Sequence, residues 1–79
     1  MPQLIGLDLD GCELNDGALH AISQCSSLEE LSLTRCEVDD RCIPHLIKLT
    51  RLRELNLRDT KVVDIKLIGR ALPKCKIFH

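Results

Sequence analysis

Cys42 follows Asp40 by two positions and precedes His45 by three. A thiol at the start of a helix, with an imidazole one turn later, is the beginning of a cysteine nucleophile. The helix terminus lowers the thiol pKa, and the histidine takes its proton. Such chemistry also needs an oxyanion site and a cleft, because geometry comes before pKa. The chain supplies no residues for either. No phosphate-binding loop, dinucleotide fingerprint or nucleophile elbow is present. The pattern is unfinished, and the sequence predicts a non-enzymatic chain with no catalytic residue.

Metal chemistry has a similar outline. Five cysteines and three histidines (His20, His45 and His79) are the ligands a transition metal prefers. Zinc sites bring them in close pairs, however, and neither C-x-x-C nor H-x₃₋₅-H occurs. His20 and His45 lie about one position apart in the repeat frame described next, which predicts a solvated pair on the outer surface. Asp16, Asp40 and Asp64 recur at one spacing and form a ladder of carboxylates suited to a cation. Helix capping explains that spacing unaided, since aspartate accepts bonds from the free amides of a first turn. No metal and no cofactor is expected.

These residues hang on a period of 24. Leu4, Leu28 and Leu52 open three blocks; Leu7, Leu31, Leu55 and then Leu9, Leu33, Leu57 follow in register. Cys12, Cys36 and Thr60 come next, then Leu14, Val38 and Val62, then the aspartates. The first half of each block alternates apolar with polar, the signature of a strand with one buried face. The second half changes to helical spacing, with Leu19, Ile22, Cys25 and Ile43, Leu46, Leu49 falling three apart. Pro44 suits a first helical turn and Pro73 ends the third helix. The third block is one residue shorter, which places Cys75 in the opening column and Phe78 in the Leu7–Leu31–Leu55 column. A strict period would put charged Lys76 in a core column.

No block can bury its own leucines. The repeat therefore predicts an α/β class chain, a right-handed solenoid with a parallel β-sheet on the concave face and short helices on the convex face. One domain spans residues 1–79, with repeats 4–27, 28–51 and 52–74 and a partial fourth strand over 75–79.

Net charge is −1, which argues against nucleic acid, since phosphate binding needs a basic stripe. A single aromatic residue, Phe78, leaves no stacking platform for bases. No apolar run is long enough to span a bilayer, and Asp8, Asp10 and Glu13 interrupt any secretory leader. The cysteines stand mostly in apolar columns, where thiols behave as small hydrophobes, and their number is odd. Free thiols fit a reducing compartment. An intracellular, cytoplasmic protein without a membrane partner is expected.

The segments L-I-G-L-D-L-D-G-C and L-E-E-L-S-L-T-R-C resemble the cysteine-containing subclass of the leucine-rich repeat family. The corners E-L-N-D-G-A-L and E-V-D-D-R-C-I and the join I-S-Q-C-S-S-L are similar to that subclass as well. R-D-T-K-V-V-D and A-L-P-K-C-K-I look more like bacterial members. The resemblance covers nearly the whole chain. It implies a scaffold for protein–protein contact, usually on the concave sheet face.

The outward strand positions are accordingly the candidate binding residues: Asp8, Asp10, Glu30, Ser32, Thr34, Arg35, Glu54, Asn56 and Arg58. Plain solvation of a polar sheet face is the competing account. The face is acidic toward block one and mixed toward block three, which suits a partner with a basic or polar patch. The expected partner is a protein. The first and last strands, lacking capping repeats, offer a second surface through which the chain would dock, act as an adaptor or pair with copies of itself.

Overall fold

The computed structural model describes residues 4–79; the first three residues of the expected domain lie outside the described residues. The chain has mixed α/β content. β1 (Gly6–Asp8), α1 (Asp16–Ser23), β2 (Glu30–Ser32), α2 (Ile43–Leu46), β3 (Glu54–Asn56), α3 (Ile65–Ala71) and β4 (Lys76–Phe78) follow one another, with a 3₁₀ turn at Asp40–Cys42 leading into α2. The strands form one parallel sheet in the order β1-β2-β3-β4. Every connection is a crossover containing a helix, as parallel neighbours require.

The 24-residue spacing becomes strand register. Gly6, Leu7 and Asp8 pair with Glu30, Leu31 and Ser32, which pair in turn with Glu54, Leu55 and Asn56. Alternation sends Leu31 and Leu55 into the core and leaves Glu30 and Glu54 exposed. Buried leucines from the strands, the corners and the helices join in one apolar cluster with Val38, Cys42, Ile43 and Ile68. Leu7 and Leu9 are only partly buried, since β1 has a strand neighbour on one side alone among the described residues.

Each of the first three strands leaves through the same tight turn. Cys12 N–H bonds to Leu9 carbonyl at 3.1 Å and Cys36 N–H to Leu33 carbonyl at 3.0 Å. The third residue of each turn is left-handed: Gly11 at φ 78°, Arg35 at 61° and Asp59 at 59°. Only Gly11 occupies that region without a side-chain penalty.

The fourth strand departs from the predicted register. Leu55 pairs with Ile77, and Asn56 with Phe78. The opening of that block is as expected: Cys75 N–H bonds to Leu72 carbonyl just as Leu28 bonds to Cys25 and Leu52 to Leu49. The difference lies one step later. Glu29 and Glu30 N–H both donate to Ile5 carbonyl, and Arg53 and Glu54 N–H both donate to Glu29 carbonyl. At β4 only Lys76 N–H reaches Arg53 carbonyl. The doubled step takes an extra residue on one strand, as a bulge does. Without it β4 gains one position, Ile77 turns inward and Phe78 moves from the expected core column to the outer face.

Capping also differs from the predicted column. Asn15 accepts from Ala18 N–H and caps α1, and Asp39 accepts from Arg41 N–H at the 3₁₀ turn. Asp64 alone of the predicted three is a cap, accepting from Leu67 N–H. Asp40 instead accepts Val63 N–H at 2.7 Å and Asp64 N–H at 3.3 Å, tying the second corner to the third. Pro44 lies in the first turn of α2 and Pro73 beyond the end of α3.

Candidate functional site

The outward sheet positions lie in rows across the strands. One row runs Gly6, Glu30, Glu54, Lys76; the next runs Asp8, Ser32, Asn56, Phe78. All of these but Lys76 line an open hollow of about 390 Å³ on the sheet surface. Five of the predicted residues meet there: Asp8, Glu30, Ser32, Glu54 and Asn56. A second hollow of about 420 Å³ adjoins it, lined by Glu30, Glu54, Arg53, Lys74 and Lys76.

Asp10, Thr34, Arg35 and Arg58 stand at the strand exits above the first hollow. Asp10 is the organising group. Its carboxylate accepts Ser32 Oγ–H at 2.5 Å and Thr34 N–H at 3.1 Å, while its own N–H donates to Asp8 Oδ1 at 3.0 Å. The Ser32 hydroxyl chiefly, with the Asp8 and Thr34 contacts and the Arg35 charge, holds the Asp10 carboxyl below its ordinary value of 3.8 against the opposing effect of desolvation. The group is anionic at neutral pH. Asn56 repeats the Asp8 contact by accepting Arg58 N–H at 3.1 Å. Local side-chain acceptors of this type fix the exit turns.

Sequence reasoning placed Phe78 in the core. It lies instead at the lip of the hollow, with the Arg58 guanidinium over its ring at 5.0 Å from the centroid. Lys74 and Lys76 were also missed as surface-defining residues. Alternation through K-I-F was the available signal: with Ile77 inward, charged Lys76 and Phe78 share the outer face. Arg53 forms the one ion pair among the described residues, 3.9 Å from Glu29, and both partners are too exposed for it to carry much stability.

The thiol pattern does not assemble. Cys42 is 1% exposed and packed in the core, not open at a helix start as a nucleophile would be. Burial first, then the charges of Asp39 and Asp40, push its pKa up to about 11, so the thiolate a nucleophile needs is suppressed. Cys36 is likewise raised by burial, and its Sγ–H donates to Leu9 carbonyl at 2.9 Å. All five cysteines are free.

His20 and His45 do become neighbours, with ring centroids 6.4 Å apart in an edge-to-face arrangement. His45 Nδ1 is buried without a hydrogen-bond partner. No group of three His, Cys, Asp or Glu side chains placed to hold a metal ion occurs among the described residues. No helix among them is long and apolar enough to cross a membrane.

The geometry thus offers one polar, two-hollowed sheet face, with carboxylates on β1, β2 and β3 and cations beside β4. No family model matches the sequence, no curated protein matches it, and no solved structure matches it.

Proposed function

We propose that the chain is a right-handed α/β solenoid of the leucine-rich repeat kind, with its sheet concave and its helices convex. In this reading it is a non-enzymatic, cytoplasmic module that binds a protein through the sheet face. The observation that carries the reading is the gathering of Asp8, Glu30, Ser32, Glu54 and Asn56 around one hollow on a surface otherwise built by leucine packing. Extended polar surfaces of this type are what stacked repeats present to partners. No cofactor, nucleic acid or membrane enters it.

Charge reversal at Asp8, Asp10 and Glu30 tests it. Captured partner should disappear from pull-downs with the triple variant while the circular-dichroism melt remains cooperative. Retention of the same partner by the triple variant sinks the assignment to this face.

A second reading is an assembly or adaptor subunit that docks, or pairs with itself, through its outer strands. The observation favouring it is exposed apolar surface: Leu4 is 42% and Ile5 47% exposed beside β1, and Val63 is 80% and Leu67 45% exposed around α3. Exposed apolar groups of this size mark association surfaces when they lie together. Sedimentation separates the two, since a monomer at high concentration removes the self-pairing form of this reading.

A further inference from the structure

We infer that the sheet face takes an extended peptide segment laid across the strands in a fixed direction. A Lys or Arg of that segment sits over Asp8 and Glu30, and an Asp or Glu sits over Lys74 and Lys76. The inference rests on the sheet-face reading above and specifies the chemistry of its partner.

The face is electrically divided along the direction in which the strands are stacked. β1, β2 and β3 present Asp8, Glu30 and Glu54, with Asp10 just beyond; β4 presents Lys76 opposite Glu54, with Lys74 and Arg53 beside it. The two hollows share Glu30 and Glu54, so they form one continuous trough from the acidic to the basic side. A partner of uniform charge would meet repulsion at one end of it, whereas one carrying both signs in order meets complementary charge at both ends, over Asp8 and Glu30 and over Lys74 and Lys76. From β1 to β4 is three strand spacings, about 14 Å at roughly 4.8 Å each. An extended chain covers that in about four residues at roughly 3.3 Å per residue. The charges of the segment are therefore about four positions apart. Phe78, covered by Arg58, stands on the same strand as Lys76 and offers apolar contact to a residue next to the carboxylate of the segment.

A second copy of the chain carries the same divided face, and a twofold pairing would also set acid against base. The carboxylates line hollows, however, and a facing sheet would bridge over them and leave charge desolvated and unpaired. A single extended segment reaches into the trough.

Selection of a random dodecapeptide library on the whole chain tests this, with affinities of the selected peptides read by fluorescence anisotropy. Binders should share a Lys or Arg about four positions from an Asp or Glu, always in the same order. Asp8→Asn with Glu30→Lys, and separately Lys74→Glu with Lys76→Glu, should each weaken them about tenfold, and binding should fall with salt. Asn at position 8 keeps the acceptor for the Asp10 amide, and a cooperative thermal melt for each variant excludes unfolding. The variant carrying all four changes should select peptides of the reverse charge order. Binders lost in Ser32→Arg but indifferent to the charge variants overturn this inference and leave the sheet-face reading standing. Binders indifferent to Ser32→Arg as well sink both. Failure to select any binder overturns the peptide inference, and so does self-association abolished by the charge variants, which assigns the trough to a second copy.

Discussion

The Arg58 guanidinium lies 5.0 Å from the centre of the Phe78 ring, on the outer face of the sheet. That contact exists because β4 enters without the doubled amide step that begins β2 and β3, so Ile77 pairs with Leu55 and Phe78 with Asn56. One missing backbone residue thereby converts the chain's single aromatic side chain from core filling into surface.

This placement has an energetic signature. Phe78→Asn continues the Asn56 row and should cost only about 1 kcal/mol, the loss of a cation–π contact and part of an aromatic burial. Ile77→Asn sets an amide against the apolar layer and should cost about 2–3 kcal/mol. Urea unfolding of the two variants measures both. A larger loss at Phe78 than at Ile77 would mean that the aromatic ring fills the inner column after all.

Asp40 acts between corners and not as a cap. Asp40→Ala removes the acceptor for Val63 and Asp64 N–H and should destabilise the chain by about 1–2 kcal/mol, the worth of hydrogen bonds to a charged group that is half exposed. Asn15→Ala should cost about 1 kcal/mol as a true cap. Asp16→Ala, with only the helix dipole to lose, should stay within about 0.5 kcal/mol. Equal losses at Asp16 and Asp40 in thermal melts would restore the simple capping column.

Gly11 occupies φ 78° with nothing near its missing side chain, so strain and not crowding decides a substitution there. Gly11→Ala should cost about 1 kcal/mol, the penalty of a side chain in the left-handed region. Arg35→Gly and Asp59→Gly relieve the same strain at φ 61° and 59°, offset by greater freedom of the unfolded chain. Calorimetry should find these two near neutral while Gly11→Ala lowers the melting temperature. A neutral Gly11→Ala would contradict the turn geometry.

Cys42 gives the chain an alkaline weakness. Its pKa rises from 9.0 to about 11 on folding, so between those values the folded state holds a proton that the unfolded state has released. Stability from this group is complete below pH 9 and is lost as pH climbs toward about 11. The slope of unfolding free energy against pH over that range should be negative and should shrink in Cys42→Ala. In the native chain at neutral pH, Cys42 should resist iodoacetamide until urea opens the core. Rapid native alkylation at Cys42 would show the thiol to be accessible and ionised.

Much of the arrangement was legible in the residues. Alternation in L-x-L told which side chains leave the core, because successive residues of a strand face opposite ways. The common spacing of Leu7, Leu31 and Leu55 placed three strands in the register that the backbone adopts. Five candidate face residues consequently gathered around one hollow.

Tertiary structure alone decided the rest. Periodicity counts residues along the chain, whereas register is set where one carbonyl receives two amides or one, a choice the repeat spacing does not encode. Neighbouring strand–helix segments likewise converted Asp40 from a cap into a tie between corners, and enclosed the Cys42 thiol that its own segment left looking reactive. Each of these outcomes depends on what packs against a residue from about 24 positions away, a relation that spacing permits but only contact settles.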